Sequence, residues 1–239
     1  MEKHLFPLLI ERGAVTERMT LGILQHRGLA ELGTEFLSAD EHCIYNTFKV
    51  DRRRSEFLAG RYIAKEAVRQ QHPEFTLESI NIVHGVWGFP LIHTAGLEKT
   101  TISIGHTERC AAALFYSSNT LPIGVDMEEI KEANMPAFRR FISSSEREQI
   151  ASGQHASLPM MHLLWSAKEA AGKALKVGFT IPEELYVISS IECEQDFYRI
   201  GFKNLSMVTV TGWVDGDFAI CIAYPSVWKL GKINERART

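Results

Sequence analysis

Ile123-Gly124-Val125-Asp126-Met127-Glu128 is the stretch on which the reading of this chain turns. Ile123, Val125 and Met127 alternate with Gly124, Asp126 and Glu128, the two-residue period of a β-strand. That period sends the apolar side chains to one face and both carboxylates to the other. Downstream stands Trp165-Ser166-Ala167-Lys168-Glu169-Ala170-Ala171-Gly172-Lys173. It reads as a helix, with Glu169 and Lys173 four residues apart on a shared face. Three carboxylates and two lysines that converge are equipped to hold a hard cation against a phosphate, because carboxylate oxygens suit Mg²⁺ and ammonium groups offset phosphate charge. Taken singly, Asp126 and Glu128 are equally compatible with a solvent-facing strand end, and Glu169 with Lys173 is compatible with a surface ion pair.

Composition bounds what surrounds these segments. The chain has 239 residues, 45% hydrophobic, 23% charged and 10% aromatic, with a formal net charge of −3. This is ordinary globular composition, large enough for one substantial core or two small lobes. A slightly acidic chain has no overall basic field for nucleic acid or an anionic membrane. Cys43, Cys110, Cys193 and Cys221 are scattered without C-x-x-C spacing, which argues against a structural zinc site and for reduced thiols. The run from Met1 to Ile10 is too short for a signal peptide, and no stretch approaches the ~20 apolar residues of a membrane span. A soluble, cytoplasmic protein is expected.

Outward from the two segments, the patterns predict a helix from Asp51 to Gln71, capped by Asp51 or Ser55, stopped by Pro73 and facing the core with Phe57, Ala64 and Val68. Thr16 to Cys43 shows no clear element. Strands are expected at Ile80–Val83, Thr100–Ile104 and Ala111–Tyr116, with the glycine loop Gly85–Pro90 after the first. Helical patterns follow at Met135–Phe141, Ser145–Ser152 and Pro159–Val177, the last ended by Gly178. Tyr186–Cys193, Phe197–Phe202, Met207–Val214 and Phe218–Tyr224 read as strands, with Asp215-Gly216 as a hairpin signal. The tail Lys229–Thr239 is polar and expected to fray. No internal repeat is evident from sequence alone.

The two opening segments match every specified position of (I/V)-G-(I/V)-D-x-E and (F/W)-(S/C/T)-x-K-E-(A/S)-x-x-K, in that order. The chain thereby resembles the 4′-phosphopantetheinyl transferases. Further stretches carry the resemblance: Arg53-Arg54-Ser55-Glu56-Phe57 to Arg61 is similar to an R-R-x-E-F-x-x-x-R stretch, Gly85–Pro90 to G-x-x-G-x-P, and Phe141–Glu146, one residue longer, to F-x-x-x-E. It spans roughly Arg53 to Lys173 and implies the long, monomeric, surfactin-synthetase-activating class. The implied fold is α+β, two similarly folded pseudo-twofold halves, each a small antiparallel sheet packed with helices, with a ligand cleft between them. The boundary is expected near Pro122, giving halves 1–122 and 123–239.

By resemblance, Asp126, Glu128 and Glu169 hold Mg²⁺, with Mn²⁺ an alternative. Glu169, Lys173 and Lys168 are the catalytic set, Glu169 as candidate base. Arg53, Arg61, His106, Lys168 and Lys173 hold coenzyme A, Arg53 and Arg61 at its 3′-phosphate end and His106 at a nucleotide phosphate. Arg54, Arg61 and Lys65 also fall on one helical stripe, which as a bare pattern reads equally as a solvated face. Two positions depart from the family: Gly105 replaces a hydroxyl residue, leaving Thr107 or a backbone N–H to replace it, and Trp87 stands where some relatives have lysine. Glu146 is a second candidate base. The implied partner is an apo acyl or peptidyl carrier protein. Its docking surface is expected to be an apolar patch with a basic rim, and its pathway is left open. A Mg²⁺-dependent phosphohydrolase on coenzyme A or a nucleotide, and a non-catalytic coenzyme A- or carrier-binding module, are the competing readings.

Overall fold

The computed structural model describes residues 1–28, 31–118, 121–138, 141–143, 146, 157–178 and 180–231. The fold is α+β, in two compact units: Met1–Pro122 joined by a late strand at Lys229–Leu230, and Ile123–Trp228. The expected second half ran to Thr239. The strand β12 (Lys229–Leu230) instead pairs with β1, so the chain returns to the first unit where a frayed tail was expected.

In the first unit, β1 (Glu2–Arg12) and β2 (Val15–Gln25) form a long hairpin. Its two-residue turn includes Gly13 at φ +58°, a left-handed conformation that glycine adopts without steric penalty. Neither strand is legible as an alternating pattern. From Met19 to Leu24 every residue of β2 is buried, so the period-two contrast that marks a half-exposed strand is missing. The sheet has the order β12-β1-β2-β6-β5, with β5 at Thr101–His106 and β6 at Cys110–Tyr116. A separate pair, β3 (Ile82–His84) and β4 (Pro90–Ile92), flanks the glycine loop. The short helix α1 (Ala39–Tyr45) begins with a capping box between Ser38 and Glu41. The long helix α2 (Asp51–Gln71) packs on β2, β5 and β6, burying Phe57, Ala64 and Val68. Its N-cap is Val50, without a side-chain cap, so neither Asp51 nor Ser55 serves.

In the second unit, β7 (Gly124–Glu129) leads to α3 (Met135–Phe138) and α4 (Leu158–Ala174). The meander β8 (Ile188–Glu194), β9 (Phe197–Phe202), β10 (Val208–Asp215) and β11 (Phe218–Pro225) follows. The sheet order is β7-β11-β10-β9-β8, all antiparallel, and Gly216 at φ +54° makes the β10–β11 turn. The helix expected at Ser145–Ser152 lies largely outside the described residues. Alanines 167, 170, 171 and 174 let α4 sit close on Val210, Ala219, Cys221 and Ala223.

The two units repeat one plan. Each has a strand, a long helix and a hairpin, with the hairpin's second strand beside the first strand: β2-β6-β5 under α2, and β7-β11-β10 under α4. Gly22 faces Ala113 across the first sheet as Gly124 faces Ala223 across the second. With this register known, sequence echoes appear: Phe36-Leu37-Ser38 to Glu41 against Phe141-Ile142-Ser143 to Glu146, and Ala64-Lys65-Glu66-Ala67 against Ala167-Lys168-Glu169-Ala170. The repeat is short and interrupted, which is why the sequence alone does not display it.

Candidate active site

The site of the second unit begins with a glycine. Gly124, Asp126 and Glu128 share one face of β7, and α4 lies against that face. A Cβ at Gly124 would meet the Ala170 carbonyl oxygen and come within 2.6 Å of the Ala174 nitrogen, so only glycine admits the helix backbone. Trp165, Glu169 and Lys173, four apart, form the helix stripe turned toward the strand. Moving along β7 corresponds to moving back along α4: Lys173 donates to Asp126 Oδ1 at 2.7 Å, and Trp165 Nε1 donates to Glu128 Oε1 at 2.9 Å. Asp126, Glu128 and Glu169 offer ligand oxygens within 4.8 Å of one another, the arrangement their spacing suggested.

The electrostatics are those of a crowded, buried acidic cluster. Burial, then the charges of Asp126 and Glu169, push the Glu128 carboxyl up to about 8. Burial and Asp126 push Glu169 up to about 7. Burial opposes the Lys173 charge, but Asp126, Glu169 and Glu128 outweigh it and hold its pKa above the ordinary lysine value. Asp126 Oδ2 is buried and has no hydrogen-bond donor within bonding distance among the described residues. A buried carboxylate oxygen without a donor is costly unless a cation or water meets it. An all-oxygen donor set of this charge fits a hard divalent ion such as Mg²⁺.

Lys168 is not part of this set. It is one residue before Glu169, about 100° around the helix, and its buried ammonium pairs with Glu146 Oε1 at 2.7 Å and donates to the Phe141 carbonyl at 2.6 Å. Glu146 also accepts from the Ser143 and Ile188 backbone N–H groups at 2.7 and 2.9 Å. The first unit contains the same latch: Lys65 pairs with Glu41 at 2.5 Å and donates to the Phe36 carbonyl at 2.7 Å. Glu41 accepts there from the Ser38 and Ile82 N–H groups. Where the second unit follows its strand glycine with Asp126 and Glu128, the first follows Gly22 with Leu24 and His26. A latch found identically in a half without the acid triad belongs to the architecture. Lys168, expected among the catalytic and coenzyme A-binding residues, and Glu146, the second candidate base, are here engaged with each other, off the acid triad.

The basic stripe on α2 is likewise not a solvated face. Almost every residue from Ser55 to Val68 is buried. Arg61 is 5% exposed, its Nε 3.3 Å from Glu41 and its guanidinium over the Phe57 ring; burial lowers its pKa although Glu41 opposes the shift. Arg61, expected to grip a phosphate, is here paired with Glu41 in the interior. Arg53 and His106 are brought together. Ile104 of β5 packs at Gly60 of α2, 3.1 Å from where its Cβ would be. Two residues along a strand and four along a helix both advance about 6 Å. His106 therefore reaches Glu56, its Nδ1 3.8 Å from Oε2, and the same carboxylate accepts from Arg53 at 3.1 Å. Thr107 does not replace the hydroxyl missing at Gly105, since its Oγ1 bonds Cys110 across the hairpin turn. Trp87, on the glycine loop, is 69% exposed.

A family model described as the 4′-phosphopantetheinyl transferase superfamily matches residues 122–223, which include the triad and Lys173. The holo-[acyl-carrier-protein] synthase of Staphylococcus carnosus (strain TM300) is 37% identical over 90 residues, covering 35% of this chain and 74% of that protein. The chain belongs to the 4′-phosphopantetheinyl transferase superfamily. The 4′-phosphopantetheinyl transferase Sfp of Bacillus subtilis (strain 168) is 24% identical over 213 residues, 85% of this chain and 92% of that one, which places this transferase in the long class. Among solved structures, a holo-(acyl-carrier-protein) synthase from Bacillus anthracis str. Ames in complex with CoA (3′,5′-ADP) is 23% identical. It has a TM-score of 0.37 and covers 45% of this chain and 95% of that one.

Two residues beside the candidate groups are not legible as such in the sequence. Trp165 both packs against Phe138 and Phe141 and fixes Glu128; its place four residues before Glu169 is the available signal. Glu56 holds Arg53 and His106, and only the strand–helix register reveals it.

Proposed function

We propose that this transferase moves 4′-phosphopantetheine from coenzyme A to a serine hydroxyl of an apo acyl or peptidyl carrier protein, releasing adenosine 3′,5′-bisphosphate. The convergence of Asp126, Glu128 and Glu169 within 4.8 Å, beside Lys173, carries this reading. Asp126, Glu128 and Glu169 hold Mg²⁺, which when bound supplies positive charge at the pyrophosphate. Glu169 takes the serine proton, as a carboxylate standing beside Lys173 and the other two acids of the cluster. The serine oxygen then bonds to the phosphorus bearing the pantetheine arm as the pyrophosphate P–O bond breaks. Lys173 offsets charge on the departing nucleotide. Arg53 and His106 hold phosphate at the nucleotide end. No helix among the described residues is long and apolar enough to cross a membrane, and a monomer working in the cytoplasm fits this reading.

Mass spectrometry of apo carrier proteins incubated with the enzyme, coenzyme A and Mg²⁺ tests it. A transferase adds the phosphopantetheine mass to the carrier. Consumption of coenzyme A with the carrier unchanged identifies a phosphohydrolase, and ligand-induced stabilisation without turnover identifies a binding module.

A further inference from the structure

Glu56 is 4% exposed and gathers basic groups from two elements. Arg52 Nε donates to Oε1 at 2.8 Å, Arg53 Nη1 donates to Oε2 at 3.1 Å, and His106 Nδ1 lies 3.8 Å from Oε2. Burial raises the pKa of this carboxyl, but Arg52, His106 and Arg53 together outweigh it, so Glu56 stays ionised. Its partners are largely in water: the side chains of Arg52, Arg53 and His106 are 64%, 63% and 37% exposed. One buried carboxylate thus anchors the inner edges of three groups whose outer edges face solvent. The start of α2 adds the partial positive charge of backbone N–H groups that no side chain caps.

We propose that Glu56 is a positioning residue that preorganises Arg53 and His106, with Arg52 beside them, as a cradle for a phosphate of coenzyme A. The proposal rests on the transferase reading above and deepens it. Two opposite effects of the carboxylate decide its sign. As a charge it partly neutralises the cations and weakens their pull on an anion. As an anchor it removes rotamer freedom that two exposed arginines would otherwise lose on binding. The cations are exposed, so their interaction with Glu56 is screened by water and salt, whereas the ordering is not. The anchor wins.

Coenzyme A binding to the full chain by titration calorimetry, with steady-state transfer kinetics, tests this. Glu56→Gln keeps the volume but not the charge, and is expected to weaken coenzyme A binding about tenfold with kcat within about twofold of wild type. In Arg53→Ala/Glu56→Gln the second change is expected to add clearly less than the roughly tenfold it costs in the wild-type chain, because part of the effect of Glu56 runs through Arg53. Unchanged or tighter binding in Glu56→Gln would show that the carboxylate only neutralises; full additivity, or a fall in kcat tracking a lower Tm, would equally overturn the proposal. Should Glu56→Gln not fold, Glu56→Asp must weaken coenzyme A binding at near wild-type Tm. A wild-type chain that neither binds coenzyme A nor modifies a carrier overturns the transferase reading itself. A wild-type chain that does both, beside variants that bind equally well, overturns the role of Glu56 alone.

Discussion

The proposed function gives Glu169 two tasks, as a ligand for the cation and as the base, and its environment makes both testable. The raised carboxyl means that ionised Glu169 is disfavoured in the metal-free fold. Glu169→Gln is therefore expected to abolish transfer, by at least about a thousandfold in kcat, while leaving the metal-free Tm unchanged or higher. Carrier modification and thermal unfolding of the same preparation check this. A pH dependence follows from Glu128 at about 8 and Glu169 at about 7, both above the ordinary 4.5. Below about pH 4.5 these groups are protonated whether the chain is folded or not, and their contribution to stability is fully present. Between 4.5 and the folded values only the folded chain keeps the protons, so metal-free stability falls as pH rises through about 7 to 8. Added Mg²⁺ is expected to raise Tm more at pH 8 than at pH 5.5, because it binds the ionised acids. Urea unfolding across this range, with and without Mg²⁺, measures both slopes.

At the scale of elements, each unit acts as a control for the other. Lys168–Glu146 and Lys65–Glu41 tie the long helix of each unit to the segment beginning at Phe141 or Phe36. Removing one partner of such a buried pair leaves an uncompensated charge at a cost of about 3–5 kcal/mol. Lys168→Ala and Lys65→Ala are both expected to lose stability of that order in urea unfolding. Transfer per folded molecule in Lys168→Ala should stay within about tenfold of wild type. A large loss of activity at unchanged stability would restore Lys168 to the chemistry. Periodicity identified α2 from Asp51 to Gln71 and the strand Phe197–Phe202 to the residue. It failed for β2, where burial of both faces removes the alternation, for β1, whose residues are mostly exposed or half-buried, and for the latches, whose members are remote in sequence.

At the scale of the molecule, the proposed function separates the binding of coenzyme A from the chemistry. Arg53→Ala is expected to raise the KM for coenzyme A about tenfold with a small change in kcat. Asp126→Ala, which removes a ligand and the partner of Lys173, should lower kcat by at least about a hundredfold. Steady-state kinetics with a saturating apo carrier separate the two.

The residues from Ile123 to Glu128 and from Trp165 to Lys173 by themselves determined which acids share a strand face and which side chains share a helix stripe. Strand and helix periods are local properties, and they aim side chains before any packing is known. Tertiary structure decided how the remaining charges are used. Whether Lys168, Arg61 and Lys65 face a ligand or a buried carboxylate depends on which segments cover them, and Glu146 and Glu41 come from distant parts of the chain. It also explains Gly124: only the approach of α4 shows why a side chain there would hold Glu169 and Lys173 away from Asp126.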